Sequence, residues 1–406
     1  MRNLFLAAML VCVGVLNACA QKASRAAEDV DLTKPMIEDY ALDEAAGMAR
    51  FYDRLHAAAS ASQPVRIGYF ADSWIESDVL TVDLREKLQS RFGGWGIGWV
   101  DCTPGMYRGR PTIGLASTGI STHVVIKKPF DKSLQGISQR YFFPSEGATI
   151  SLTAKNYREH ASRWQRASLF FRSPAGFTLS AVQNGTDTTV STMPVGSTQV
   201  QRFDFPAGES TSLKCAFSEV KPGTVLFGAA LESANGVILD NLGVRSLQGY
   251  QLLDIPDTTL ADFARLRPYD LIVLHFGVNA VTRNTTERSF GAYLDRMKRV
   301  IERFRNAYPG TTILVLSLSD SKMGAPSVNA MCARMQRQMA KDCAVPFFSV
   351  FDAMGGGGSI RRFVKNGWAS TDHVHINHKG GEQVASYIFN AIMQGYNQRH
   401  GRSEKQ

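Results

Sequence analysis

The chain has 406 residues, 44% of them hydrophobic and 20% charged, which excludes a disordered chain and is too long for one ordinary domain. Its 35 glycines and 15 prolines are close to average usage and exclude collagen-like or low-complexity architectures. The net charge of +9 is spread without a dense basic tract, so nucleic acid is a poor partner, while an anionic envelope polymer or a membrane surface suits it.

Arg2 and the apolar run from Leu4 to Leu16, about thirteen residues, read as a signal-peptide core too short to span a bilayer. Leu16-Asn17-Ala18-Cys19 resembles a bacterial lipobox, which makes 1–18 the signal and Cys19 the lipidated first residue of the mature chain. Ala18-Cys19-Ala20 before Gln21 also reads as an A-x-A cleavage site. Both readings export the chain to the periplasm or cell envelope, and the first predicts an outer-membrane lipoprotein anchored through lipid alone.

A spacer and helix fill 19–60, with an apolar face over 36–58 that includes Met36, Tyr40, Leu42, Phe51 and Leu55. A first α/β stretch spans 61–104: Val65 to Phe70 reads as a strand and Val79 to Phe92 as a helix closed by Gly93-Gly94. From 105 to 235 the period shortens to alternating runs separated by Gly, Pro, Asn and Asp, with a hairpin signal at Asn184-Gly185. That pattern predicts a β-sandwich or jelly roll with its own core. Over 236–398 strands at 237–240, 271–276, 311–316 and 347–350 alternate with helices, including 326–342 and 379–394; 399–406 is a polar tail. Asn284 with Glu287 reads as a capping box for the helix that follows. The fold expected is α/β, a parallel sheet covered on both faces and interrupted by an inserted sandwich. Both connections to the insertion are expected near the carboxyl ends of the strands, so that it overhangs the site there.

Setting Cys12 and Cys19 aside with the signal leaves Cys102, Cys215, Cys332 and Cys343. Cys332 and Cys343 on one helix stand about 16 Å apart, beyond disulfide reach. Cys102 and Cys215 share the β-rich segment, and the pairing stays open.

Three places carry chemistry. Ser73, in Ala71-Asp72-Ser73, follows a strand and precedes a helix, where backbone N–H groups favour an attacking hydroxyl, although an N-cap serine fits the same position. Asn279, in Gly277-Val278-Asn279, ends the central strand and offers an amide donor to an oxyanion. Asp372, three residues before His375, suits the orientation of a general base. His373, His375 and His378 also make H-x-H-x-x-H, a competing metal pattern that lacks H-E-x-x-H or cysteine support.

In this order, each at a strand end, these residues resemble the SGNH (GDSL-like) hydrolase family. The resemblance implies a flavodoxin-like three-layer hydrolase domain over roughly 62–104 and 236–398. It makes Ser73 the nucleophile, Asp372 and His375 its partners, and Ser73, Gly243 and Asn279 the oxyanion hole, with no metal and no cofactor. Phe351-Asp352-Ala353-Met354-Gly355-Gly356 and His375-Ile376-Asn377-His378-Lys379-Gly380-Gly381 look like the branch containing peptidoglycan O-acetylesterases, in which a carbohydrate-binding-module-like sandwich is inserted at this same place. The chain departs from the family pattern at Ala71, at Arg245-Ser246 and at Ala280. The implied activity is removal of O-acetyl groups from an envelope polysaccharide, foremost peptidoglycan. Acetyl transfer, another acetylated glycan such as xylan or capsule, and a non-catalytic glycan-binding lipoprotein are the alternatives. Trp164, Tyr157 and Tyr107 are the candidate sugar platforms in the insertion.

Overall fold

The structure, a computed structural model, describes residues 31–104, 109–193 and 197–401. The expected signal, Cys19 and Tyr107 lie outside the described residues. Helix α1 (Met48–His56), strand β1 (Val65–Ala71) and helix α2 (Thr81–Phe92) come first. An antiparallel region follows: β2 (Gly98–Val100), β3 (Ile113–Val124), β4 (Arg140–Ala154), β5 (Arg166–Ser173) and β6 (Thr178–Gln183). It continues through β7 (Asp187–Thr192), β8 (Ser197–Asp204), β9 (Ser212–Ser218) and β10 (Val225–Glu232). The α/β alternation resumes with β11 (Val237–Asn241), α3 (Asp257–Leu266), β12 (Leu271–His275) and α4 (Glu287–Ala307). It ends with β13 (Thr312–Leu316), α5 (Pro326–Asp342), β14 (Phe347–Phe348), α6 (Val350–Met354), α7 (Ser359–Lys365) and α8 (His378–His400).

Five parallel strands form one sheet in the order β11-β1-β12-β13-β14. Its central strands are apolar at consecutive positions because both faces are covered. Ile272 and Leu274 of β12 pack with Phe263 of α3, Phe304 of α4 and Met339 of α5, while Leu271 and Val273 pack with Leu84 of α2 and Ile388 of α8. Period-two alternation thus divides one strand between two helical layers.

Four expectations are corrected. The helix predicted over 36–58 is α1 alone. Glu38 exchanges two backbone hydrogen bonds of 2.8 Å with Phe347, which draws the preceding residues onto the edge of the parallel sheet, and Leu42 is left 94% exposed. The capping box before α4 is Thr286 with Ser289, not Asn284 with Glu287.

The predicted sandwich is not two separate sheets: β2 to β10 are hydrogen-bonded into one antiparallel sheet of nine strands. The long β4 makes the join, pairing with β9 over Thr149–Thr153 and with β10 through the single bridge of Phe142 to Leu226. The sheet encloses a core of its own, in which Leu169, Phe171 and Leu226 meet Ile150, Leu213 and Phe217. Asn184 and Gly185, with φ of 52° and 79°, turn the predicted hairpin between β6 and β7. Cys102 and Cys215 are both buried in this core as free thiols, and Cys332 and Cys343 are free as well.

Of the two connections to the insertion, the exit lies at the amino ends of the parallel strands, opposite to the expectation, while the entry through Thr103 and Pro104 lines the cleft beside Gly243. The Gly93 carbonyl accepts from Val237 N–H at 2.8 Å and the Gly236 carbonyl from Val65 N–H at 2.8 Å, so the end of α2 and the exit adjoin where β1 and β11 begin. From there β2, paired with β10, climbs beside β11 toward its carboxyl end, where Trp99 N–H donates to Asp240 Oδ1 at 2.8 Å. The insertion is also packed onto the α3 face: Phe263 of α3 touches the rings of Trp99, Phe170 and Phe227.

Between the two sheets lies a buried charge cluster. Arg267 donates to both oxygens of Asp240, at 2.5 and 2.7 Å, and to Glu232 at 3.1 Å, while Arg66 donates to Glu232 at 2.6 Å. Burial pushes the Glu232 carboxyl up, but Arg267 and Arg66 outweigh it and hold it down at about 2. Removing one member of such a cluster strands the rest without compensation. Arg267→Ala is therefore expected to lower stability by about 3–5 kcal/mol in urea denaturation; a change within about 1 kcal/mol would show that the cluster is not what joins the sheets.

Candidate active site

Strand β1 ends at Ala71, in register with His275 of β12. The next residues bend tightly: the Ile75 and Glu76 N–H groups donate to the Asp72 carbonyl at 3.3 Å, and Trp74 N–H donates to Asp72 Oδ1 at 3.0 Å. Ser73 sits half-buried inside this bend. The buried Trp74 indole donates to the Val374 carbonyl at 3.2 Å, which docks the 372–375 loop beside Ser73.

That loop is built around Asp372. Its Oδ1 accepts from the backbone N–H groups of Val374 and His375 at 2.8 and 3.0 Å, and its Oδ2 is 2.7 Å from His375 Nδ1. Burial raises the Asp372 carboxyl, but the hydrogen bonds from His375 and Val374 outweigh it and leave it below its ordinary value. With Nδ1 engaged, Nε2 is the ring nitrogen left for a reacting proton. Asn377 caps α8, accepting from Gly380 N–H at 3.2 Å. A β-carbon on Gly381 would lie 1.8 Å from the Val79 carbonyl, so the glycine pair lets the start of α8 close onto the segment leading into α2.

Gly243 follows β11. A side chain there would meet Ile75 Cγ1 at 2.5 Å and Glu76 N at 3.1 Å, which places this glycine directly against the Ser73 bend. Its N–H donates to Asn241 Oδ1 at 3.0 Å. Asn279, in the turn after β12, uses its amide twice, toward Asp72 Oδ2 at 2.9 Å and the Leu247 carbonyl at 3.0 Å. An oxyanion arriving here has to share the Gly243 N–H with Asn241 Oδ1 and the Asn279 amide with Asp72 Oδ2 and the Leu247 carbonyl. The expected residues thus converge on the carboxyl ends of β1, β11 and β12.

The structure adds His275, which the sequence did not mark, and gives Asp72 of the Ser73 motif a role. Asp72 is buried, and burial pushes its carboxyl up to about 6 against the opposing pull of the Trp74 N–H and of nearby His375; Glu76 adds to the rise. His275 lies edge-on to Trp74 with its Nδ1 3.0 Å from the Tyr69 hydroxyl, and burial drops it to about 3, so it stays neutral. The order of strands in the parallel sheet is the signal for Asp72, since it brings β1 beside the β12 turn.

A cleft of about 470 Å³ opens next to Gly243. Glu76, Asn241 and Gly243 line one side, and Asp101, Arg140 and Lys155 of the inserted region line the other. The proposed sugar platforms fare differently: Trp164 is 1% exposed and belongs to the core, while Tyr157 is half-buried under the Arg158 guanidinium. Among the described residues the donor atoms of Glu86, Glu159 and His160 converge, a group that does not include His373, His375 or His378.

Asp72 gives a signed pH dependence. A carboxyl raised in the folded state favours folding below its ordinary value of 3.8 and loses that contribution as the pH rises through about 6. Against Asp72→Asn, which does not titrate, the wild type should lose relative stability between about pH 4 and 6 and then level off. Thermal unfolding of both proteins across that range measures it, and a pH-independent difference would contradict the assignment.

Residues 207–382 match the GDSL-like lipase/acylhydrolase family model. No curated protein matches the chain by sequence. Among solved structures, one of a peptidoglycan O-acetylesterase superposes with a TM-score of 0.74 at 22% identity, covering 90% of this chain and 100% of that one, which shows a shared fold. A salicylyl-acyltransferase of a tetracycline biosynthetic pathway is similar at 13% identity over 68% of this chain and 95% of that one, with a TM-score of 0.30 too low to carry an argument. The matched segment holds Gly243, Asn279, Asp372 and His375, and the fold sets Ser73 beside them. The chain carries a GDSL-like acylhydrolase domain in an SGNH-type fold, and with it the class of a carboxylic ester hydrolase.

Proposed function

We propose that this protein is a serine esterase that removes O-acetyl groups from a cell-envelope polysaccharide, foremost peptidoglycan. The observation that carries the proposal is the Asp372–His375 pair, 2.7 Å apart, on a loop held against the Ser73 bend by Trp74. Ser73 Oγ attacks the acetyl carbonyl carbon as His375 takes its proton. The carbonyl oxygen becomes an oxyanion received by the Ser73 and Gly243 N–H groups and the Asn279 amide. Collapse breaks the bond to the sugar oxygen, which leaves with the proton from His375. Water, deprotonated by His375, then attacks the acetyl-serine, and acetate departs as Ser73 recovers its proton. Asp372 orients the imidazole and stabilises its charged form.

The acetylated glycan is supported by two things: the likeness to a peptidoglycan O-acetylesterase over 90% of this chain, and the open cleft of about 470 Å³ beside Gly243. Export with a lipid on Cys19 belongs to the same proposal, since that substrate lies outside the cytoplasm.

Acetate release from O-acetylated peptidoglycan, measured beside acetylated xylan, tests it. Ser73→Ala and His375→Ala should each lose on the order of 10⁴-fold or more in turnover while keeping the wild-type melting temperature, and Asp372→Ala should lose less. Near-wild-type acetate release by folded Ser73→Ala would remove the nucleophile; faster release from xylan would replace the substrate.

A further inference from the structure

We infer that the inserted antiparallel sheet is part of the oxyanion machinery, with Arg140 as a positioning residue that holds the Gly243 carbonyl, one bond pair from the donor N–H, from outside the hydrolase domain. The inference rests on the reading of Gly243 as an oxyanion donor. Arg140, on β4, donates from Nη2 to the Gly243 carbonyl at 3.1 Å, across 103 residues of sequence. Its own position is fixed by the Ser138 carbonyl at 3.2 Å and by Asp101 at 3.4 Å, both in the inserted region, and Glu76 lies 3.8 Å away.

The other side of Gly243 is held from the insertion as well. Its N–H donates to Asn241 Oδ1, and the Asn241 amide donates to Asp78 Oδ1 at 3.0 Å. Asp78, fully buried, accepts at Oδ2 from Arg110 at 3.0 Å and from Thr112 at 2.8 Å, both next to β3. The carbonyl and the N–H of one glycine are thus each tied to the inserted sheet. Glycine has the most backbone freedom of any residue, and a donor shared between Asn241 and a developing charge must not swing away from either. A sheet that only captured polymer would have no reason to grip the peptide units on both sides of this glycine.

The prediction separates this role from polymer capture by using a substrate with no sugar. With 4-nitrophenyl acetate, folded Arg140→Ala should lose about tenfold or more in kcat, with KM kept within about threefold, because complete removal of an oxyanion donor costs about 10²–10³ and displacement costs less. Phosphonylation of Ser73 by a fluorophosphonate should slow by a similar factor, since it passes through the same hole. Arg140→Lys, able to donate once to the Gly243 carbonyl, should recover part of the loss. Glu209→Ala, an exposed change on the same sheet, should leave kcat unchanged. Should alanine fail to fold, Arg140→Met keeps the bulk without the donors and must show the same fall. Wild-type kcat and labelling in a folded Arg140→Ala or Arg140→Met protein, with Ser73→Ala inactive, would overturn the inference and spare the esterase reading. Activity retained by Ser73→Ala would overturn the reading on which the inference stands.

Discussion

A buried carboxylate on the edge strand of the parallel sheet is the constraint on which the arrangement depends. Asp240 is fully buried and accepts from the backbone of Trp99, from two nitrogens of Arg267 and from the Tyr269 hydroxyl. A charge removed from water needs this many donors, and here they come from β2 and from the loop between α3 and β12. The insertion re-enters the parallel sheet at the far end of the molecule, and Asp240 ties β2, which leads into it, to the active end. The climb of β2 along β11, fixed at Trp99, delivers Asp101, Arg110 and Arg140 to the Gly243 loop.

The resulting site is over-determined. Asp72, Asn241 and Asn279 each hold a neighbouring loop by hydrogen bonds. Asp372 uses three acceptor contacts on its own loop, which sets the imidazole before a proton arrives. Little reorganisation is then left for the reaction itself, the condition under which fixed dipoles lower a barrier most.

Much of this was legible in the sequence, and the reasons differ by element. The strands at Leu271 and Thr312 announce themselves because both faces are buried, and the D-x-x-H spacing closes within one turn of chain. The hairpin at Asn184-Gly185 is equally local. What the sequence concealed is long-range. Nothing near Arg140 points to Gly243, and nothing near Glu38 points to Phe347; the apolar spacing over 36–47 mimics a helix whose backbone hydrogen bonds are instead made to a strand edge. The placement of the insertion's exit was hidden for the same reason, because β10, antiparallel to β2, carries the chain back to the amino end before β11 begins.

The most direct measurement is capture of the covalent intermediate. Protein quenched in acid during turnover of an aryl acetate, digested and weighed by mass spectrometry, should carry one acetyl group on the peptide containing Ser73, and none when His375 is replaced by alanine. Steady turnover with no acetyl group on Ser73, or with the acetyl group on another side chain, would contradict it.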